Sequence, residues 1–242
     1  QELDRLSPAE LIHPDNLELD EQLPGHRAPR PAWQFEPGTA EEQLRAHFRV
    51  ASLEGFGLGG KPLATMAAGG ILGYLTQNQP TALASLTRLS TYSTADFMVL
   101  DAATRHDLEL TETRRTGALK GSLLGVLDET VTPMGRRLLR QWLSQPGLDK
   151  VQIEARLDQV EALFKDGIRR AERRQRMDGL PDIERVTNRA ASGVATPRDL
   201  SALRSALREL PGVLETVEGG SLGDLAANLD PCGEVLQELE TA

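Results

Sequence analysis

A glycine-rich loop holds the residues whose types and spacing come nearest to a phosphate-binding site. Its sequence, GFGLGGK from Gly55 to Lys61, fits the GxGxxG pattern and also the GxxxxGK part of a nucleotide-binding loop. The nucleotide-binding loop continues with Ser or Thr, whose hydroxyl binds Mg²⁺, but Pro62 follows here. A dinucleotide site needs an acid about 20 residues further on, and no Asp or Glu occurs between Lys61 and Asp96. We therefore predict a turn that enters a helix at Pro62, and a nucleotide-binding enzyme remains an alternative.

A second pattern, GGSLG from Gly219 to Gly223, matches the GxSxG turn of serine hydrolases. That turn follows a strand and needs an acid and then a histidine later in the chain. Here a helical pattern precedes it, and the last histidine is His106. The chain also lacks the HExxH and CxxC spacings of metal sites. The sequence therefore predicts no catalytic, metal-binding or cofactor-binding residue.

Two arginine clusters are the remaining candidates for a functional surface. A helix starting after Thr132 would place Arg136, Arg137 and Arg140 on one polar ridge, opposite an apolar face that includes Trp142. The second cluster is RRAERRQR, residues 169–176. Both clusters fit a solvated or salt-bridged surface, and both also fit an independent DNA-binding helical module. No aromatic residues alternate with the arginines, which argues against stacking on single-stranded bases.

The overall composition argues for or against several classes of protein. The chain has 242 residues and a net charge of −9, whereas a protein that grips DNA by itself is more often basic. Cys232 is the single cysteine, so no internal disulfide can form, as is usual in the cytoplasm. The run from Pro62 to Leu75 is too short to span a bilayer, and we expect no membrane association.

The predicted secondary structure changes from mixed α/β to all-α near residue 100. Residues 1–100 are predicted to be α/β: LSPAELIHP suggests a short helix and a strand, and RLSTYS and FMVLD look like further strands. Thr39 and Glu42 have capping-box spacing ahead of a helix from about Ala40 to Phe48. PLATMAAGGILGYLTQ is predicted to be a buried helix whose glycines allow close packing.

From Asp101 onward the apolar period is helical, so residues 101–242 are predicted to be all-α. Asp101 and Thr132 are the expected N-caps of two helices. Residues 150–177 are predicted to form one long amphipathic helix. A later helix starts at Thr196-Pro197 and should end at Pro211. The apolar stripe of the long helix comprises Ile153, Leu157, Val160, Phe164 and Ile168.

Several stretches in a fixed order resemble the MutS family of DNA mismatch-repair proteins. The central one is DFMVLDAATRHDLEL, followed by LDETVTPMGRRLLRQWLSQP at residues 127–146. Further on, LPDIERVTNRAASGVATPRDL is similar to the core domain of that family. Upstream, AWQFEPGTAEEQL and GFGLGGKPLATMAAGGILGYL resemble the second half of its connector domain. The resemblance spans most of residues 39–215.

The resemblance implies a partial, RNase H-like α/β connector at residues 1–100 and the first, all-α part of the core at 101–242. The family's Phe-x-Glu mismatch-reading motif and an intact ATPase motif do not occur here. The chain is therefore expected to be a non-catalytic internal fragment that couples mismatched-DNA binding to the ATPase state of the intact protein. ATP and Mg would bind in the missing ATPase domain. The implied partners are mismatched duplex DNA and MutL, with Glu42 and Gln43 as candidate MutL contacts, in a homodimeric protein of the bacterial cytoplasm.

Overall fold

A small parallel sheet and the helices that follow it form the first of two units, Gln1–Thr94. The computed structural model describes residues 2–83, 86–217, 222–227 and 229–241. The elements of this unit are α1 (Glu2–Leu6), β1 (Glu10–Pro14), β2 (His26–Arg30), a 3-10 turn (Ala32–Phe35), α2 (Pro37–Phe48), a second 3-10 turn (Glu54–Phe56), α3 (Pro62–Asn78) and α4 (Pro80–Leu83). β1 and β2 pair in parallel, with Glu10 opposite His26 and Pro14 opposite Arg30.

Glycines on α3 allow α2 and the first 3-10 turn to pack closely against it. A Cβ added at Gly69 would lie 2.4 Å from the Cβ of Ala40, and one added at Gly70 would lie 2.3 Å from the ring of Phe35. Real Cβ atoms do not approach so closely, so glycine is required at both positions for this packing. The predicted helix and the predicted role of its small residues are confirmed.

Apolar side chains from α2, α3 and the segment between them form the core of this unit. Leu44, Leu53, Leu58 and Leu72 are all buried. Burial of a leucine side chain contributes about 1.5–3 kcal/mol. Because Leu53 precedes the glycine-rich loop and Leu58 lies within it, this core holds the loop against the two helices.

The start of α2 differs from the prediction. The helix begins at Pro37, and Glu36, in extended conformation, is its N-cap, without a side-chain capping bond. Thr39 lies inside the first turn, so the predicted capping box does not form. Proline at the first helical position explains the earlier start, since its fixed φ suits the helix and it has no N–H to satisfy.

The two predicted strands at RLSTYS and FMVLD are wrong. Residues 88–93 and 98–101 are not in strands, and Phe97 forms an isolated antiparallel bridge with Gly147. Met98 and Val99 are 48% and 68% exposed. A short apolar run becomes a strand only when a neighbouring strand pairs with it, and no described strand does so here.

Helices make up the regular structure in the described part of the second unit, Ala95–Ala242, as predicted. Their bounds are α5 (Ala102–Asp107), α6 (Leu123–Leu127), α7 (Pro133–Ser144), α8 (Lys150–Lys165), α9 (Gly167–Met177), α10 (Ile183–Ala191), α11 (Pro197–Val217), α12 (Gly223–Ala227) and α13 (Gly233–Thr241).

Side-chain caps start several of these helices. Asp101 accepts a hydrogen bond from the Thr104 amide at 2.6 Å, and Thr132 accepts one from the Gly135 amide at 3.1 Å. Both predicted N-caps are therefore confirmed, with Pro133 at the first position of α7. Each cap satisfies an amide that has no partner inside the helix, which is worth about 1 kcal/mol.

Two predicted helix ends in this unit are wrong. The single helix expected over residues 150–177 is broken at Asp166, whose carboxylate caps α9 by accepting from the Arg169 amide at 3.0 Å. Conversely, α11 continues through Pro211 to Val217. Proline removes one backbone hydrogen bond, but the segment beyond it is held by Arg173, whose Nε donates to the carbonyl of Thr216 at 2.6 Å.

The core of the second unit lies between α10, α11 and α13. Val186, Leu203 and Leu207 are buried there, and partly buried side chains from α13 pack against them. α7 contributes no buried residue. Leu138 and Trp142 are 45% and 41% exposed, so the apolar face of α7, predicted to be a core face, is only partly covered.

Candidate functional site

The glycine-rich loop is packed as a structural turn. The amides of Phe56, Gly57 and Leu58 donate to the carbonyls of Leu53 and Glu54, and the amide of Lys61 donates to Leu58. In a phosphate-binding loop the corresponding amides point toward the ligand.

Two more contacts fix the same loop. The hydroxyl of Thr91 lies 3.3 Å from the carbonyl of Phe56 and 3.2 Å from that of Gly57. Gly57 has φ +75°, and a Cβ there would meet this hydroxyl at 2.3 Å. Glycine is therefore needed at this position both for the backbone conformation of the turn and for the close approach of Thr91. These two requirements explain its presence without a nucleotide.

The two candidate partner residues on α2 differ in exposure. Glu42 is exposed to solvent, whereas Gln43 is half-buried. The Oε1 atom of Gln43 lies against α3, where a Cβ on Gly73 would be 3.4 Å from it, and it accepts no hydrogen bond within the described part of the chain. Of the pair, Glu42 is thus the residue that a partner could reach without displacing α3.

The arginine ridge on α7 is largely neutralised by internal acids. Arg136 Nε lies 2.8 Å from a carboxylate oxygen of Asp128. Arg137 bridges two acids at the start of α10: its Nη2 donates to Asp182 at 2.8 Å and also to Glu184. The hydrogen bonds from Arg137, more than the opposing effect of burial, lower the pKa of the Asp182 carboxyl. The ridge therefore joins α7 to α10.

Arg140, the third residue of the ridge, borders a cavity of about 460 Å³ whose lining includes Leu119, Leu124 and Val131. The cavity also contains Asp128, whose pKa is lowered, first of all by the Thr130 hydroxyl. An ionised acid inside the cavity disfavours binding of a phosphate group there.

The arginines of α9 are used mostly for internal contacts. Arg173 is buried and holds the carbonyl of Thr216. Arg174 donates to the carbonyl of Glu129 at 2.7 Å, and Arg170 donates to that of Leu163 at 2.9 Å. Arg170 thereby satisfies a carbonyl at the end of α8, as cations near helix C-termini do.

The other two arginines of this cluster form exposed ion pairs. Arg169 lies 3.5 Å from Asp166, and Arg176 lies 3.9 Å from Glu172. Such pairs contribute little to stability, but they do reduce the positive potential of the surface. The geometry of both clusters therefore favours a structural role over a DNA-binding surface.

A stacked pair on α7 and α8 was missed by the sequence reasoning. The guanidinium carbon of Arg156 lies 4.3 Å from the centroid of the Trp142 ring. The pair borders a cavity of about 630 Å³ that is also lined by Phe97 and Ile153. Neither residue type nor spacing signals such a contact, because the two residues belong to different helices.

Among the described residues, no group of three His, Cys, Asp or Glu side chains is placed to hold a metal ion. The serine pattern at Gly219–Gly223 falls mostly on residues 219–221, which lie outside the described residues. No helix within the described ranges has the length and apolar character needed to cross a membrane.

Comparison with known proteins gives two adjacent family matches. Residues 1–88 match MutS domain II, and residues 103–241 match MutS domain III.

Individual relatives agree with these matches. The chain is 40% identical to the DNA mismatch repair protein MutS of Halothermothrix orenii, with 90% of the chain and 25% of that protein aligned. It is 41% identical to MutS of Nostoc punctiforme, with 99% and 28% aligned. It is 39% identical to MutS of Thermosynechococcus vestitus, with 100% and 30% aligned. The chain thus spans less than a third of the length of these relatives, and it belongs to the MutS family of DNA mismatch-repair proteins.

Proposed function

We propose that this chain is the connector–core part of a MutS protein, with the connector at residues 1–100 and the first part of the core at 101–242. The observation that carries the proposal is the order of the two matches, domain II followed directly by domain III. The parallel pair β1–β2 with α2 and α3 beside it supports a partial RNase H-like fold for the connector.

In the intact protein this part would couple the binding of mismatched duplex DNA to the ATPase state, without catalysing a reaction itself. ATP and Mg would be bound by another domain of the intact protein, which would act as a homodimer in the bacterial cytoplasm. The amides of Gly57, Leu58 and Lys61 donate to nearby backbone carbonyls and are therefore not free to bind phosphate. This supports placing nucleotide binding in another domain.

Calorimetric titration of the chain with ATP and with NAD, in the presence of Mg²⁺, tests the non-catalytic assignment. We expect no saturable heat with either nucleotide. Micromolar binding that is lost in Gly57→Val would contradict the proposal and support the nucleotide-binding alternative. Circular dichroism of that variant must show native helix content, because Gly57 has a positive φ.

We further propose that the exposed face of α2 docks MutL, with Glu42 and Gln43 as contacts. The exposed carboxylate of Glu42 supports this surface. Glu42→Lys in the intact protein is expected to weaken MutL binding about tenfold, or by about 1.4 kcal/mol, because the charge reversal replaces an attractive contact at the interface with a repulsive one. Surface plasmon resonance with immobilised MutL measures the effect.

Glu21→Lys is a matched control, because it makes the same charge change at an exposed position before β2. It is expected to leave MutL affinity unchanged. Equal weakening by both variants would indicate a general effect of net charge, and unchanged affinity for Glu42→Lys would remove Glu42 from the docking surface.

A further inference from the structure

Two Asp-Gly dipeptides occur in the second unit, Asp166-Gly167 and Asp178-Gly179. In such a dipeptide the amide nitrogen of the glycine can attack the side-chain carboxyl carbon of the aspartate, because glycine has no side chain to hinder the approach. The product is a succinimide ring, and the opening of this ring can leave an isoaspartate. The two dipeptides lie in different surroundings, which decide how readily each ring can form.

The reaction needs only water and is balanced without an oxidant or a reductant. A new bond joins the glycine nitrogen to Cγ of the aspartate, and the carboxyl hydroxyl and the amide hydrogen leave as water. Hydrolysis then adds water to the ring. Breaking the bond from nitrogen to Cγ restores aspartate, whereas breaking the bond from nitrogen to the former backbone carbonyl carbon gives isoaspartate. The mass of the chain is unchanged, but its main chain now runs through Cβ and Cγ and is one carbon longer.

Hydrogen bonds hold Asp166 in place at the junction of α8 and α9. Its carboxylate accepts from the Arg169 amide at 3.0 Å. Its own amide donates to the carbonyl of Ala162 at 3.3 Å, and its carbonyl accepts from the Arg170 amide at 3.0 Å. To bring its carboxyl carbon onto the Gly167 nitrogen, the peptide between the two residues must rotate. That rotation breaks the bond to Arg170, and the movement of the carboxyl group removes the cap.

Asp178 lies instead in a turn that follows α9. The amide of Leu180 donates to the carbonyl of Met177 at 3.2 Å and closes the turn. Asp178 has φ −66° and ψ 131°, and Gly179 has φ +80°, which are the angles of a type II turn with these two residues at its centre. Type I and type II turns differ by a flip of the central peptide, and both keep the closing hydrogen bond. The peptide that must rotate for ring formation is therefore free to do so.

The reacting groups of this turn have no competing partner within the described ranges. Neither the Asp178 carboxylate nor the Gly179 amide makes a hydrogen bond or an ion pair there. Both residues are exposed, and a Cβ built on Gly179 would meet no heavy atom within 4 Å beyond its chain neighbours. The turn also borders a cavity of about 590 Å³, so a longer main chain has room.

We propose that Asp178 is an isoaspartate-forming modification site of this chain and that the fold protects Asp166 from the same reaction. The product carries an exposed carboxylate, which is the group that protein isoaspartyl methyltransferases methylate. Asp182 follows in the same connection, where it caps α10 and pairs with Arg137 on α7. A longer main chain at position 178 therefore weakens the contact between α7 and α10.

Ageing of the full 242-residue chain at neutral pH, with samples taken over several weeks, tests the proposal. Isoaspartate is counted by methyl transfer from labelled S-adenosylmethionine with an isoaspartyl methyltransferase, and electron-transfer fragmentation of the peptides locates it. The chain unfolded in guanidinium chloride gives the reference rate at each position. Relative to that reference, folding should slow the reaction at Asp166 at least about tenfold more than at Asp178, because two hydrogen bonds must break only at Asp166.

Asp178→Glu is the matched variant, because it keeps the charge of the exposed turn while the larger ring forms far more slowly. Methyl acceptance by the folded variant should fall to background, and circular dichroism should show native helix content. Equal slowing at the two positions, a faster reaction at Asp166 in the folded chain, or unchanged methyl acceptance in Asp178→Glu would each overturn the proposal. So would the absence of isoaspartate at position 178 in folded chain when the unfolded chain forms it.

Discussion

At the scale of single residues, the carboxylate of Asp199 accepts three hydrogen bonds at the start of α11. One of its carboxylate oxygens accepts hydrogen bonds from the amide and the hydroxyl of Thr196, at 2.8 and 2.7 Å. The same oxygen lies 3.0 Å from Nε of Arg189 on α10. These contacts, led by the Thr196 hydroxyl, lower the pKa of Asp199 to about 2. One carboxylate thus both caps α11 and links it to α10.

This pKa predicts a defined loss of stability in acid. The charged form stabilises the fold fully above the unfolded aspartate pKa of about 3.9. The contribution is lost as the pH falls toward the folded value of about 2. Asp199→Asn should therefore have a lower urea midpoint than wild type near neutral pH, with a difference that shrinks below about pH 4 and vanishes near pH 2.

Urea unfolding followed by circular dichroism across this pH range measures the difference. Asp158→Asn, on the exposed side of α8, is the control and should follow wild type at every pH. A midpoint difference for Asp199→Asn that is the same at pH 2 and pH 7 would show that its charge does not matter.

At the scale of elements, the packing of α2 against α3 depends on the glycines of α3 and not on helix propensity. α3 contains three glycines in five residues, Gly69, Gly70 and Gly73, and each is unfavourable in an isolated helix by about 1 kcal/mol. The helix forms because the close approach to Ala40 and Phe35 compensates for this cost. The three positions nevertheless differ in how much space a methyl group would find.

We predict opposite outcomes for two glycine-to-alanine changes on α3. Gly69→Ala should lower the free energy of unfolding by about 1–3 kcal/mol, because its Cβ would overlap Ala40 on α2. Gly73→Ala should be neutral or stabilise by up to about 1 kcal/mol. Its Cβ meets only Oε1 of Gln43, at 3.4 Å, and that flexible side chain can move aside.

Chemical denaturation of the two variants provides the measurement, with each serving as the control for the other. Equal destabilisation by both would mean that α3 tolerates no added methyl group, and equal stabilisation would mean that α2 moves freely away from α3.

At the scale of the whole molecule, charge and its pairing decide how the chain behaves toward DNA. The net charge is −9. The arginines of α9 donate to carbonyls or pair with acids, and Arg136 and Arg137 on α7 are also paired. Few arginines of these two helices therefore remain available to contact DNA phosphates, and such contacts supply most of the non-specific affinity of a protein for DNA.

We therefore predict that the chain alone binds duplex DNA with a Kd no tighter than about 10⁻⁶–10⁻⁴ M at physiological salt, with no preference for a mismatch. Fluorescence anisotropy with matched and mismatched duplexes of equal length measures both quantities. Submicromolar, mismatch-selective binding would contradict this prediction and favour an independent DNA-binding helical module. Loss of that binding in Arg140→Ala would then identify the surface.

The sequence alone determined those features that depend on local chemistry. Asp101 and Thr132 cap their helices because the cap and its amide lie three residues apart. The all-α character of the second unit follows from apolar periodicity, which is also local. Family membership followed from motif order and is confirmed by the two family matches.

The tertiary structure decided everything that depends on a distant partner. FMVLD is not a strand because no described strand pairs with it, and α11 runs past Pro211 because Arg173, 43 residues from Thr216 in sequence, holds the segment beyond it. For the same reason Gln43 lies against α3 while Glu42, one residue earlier, faces solvent. Residue type and spacing specify what a side chain can bind, but only the packed chain brings a particular partner within reach.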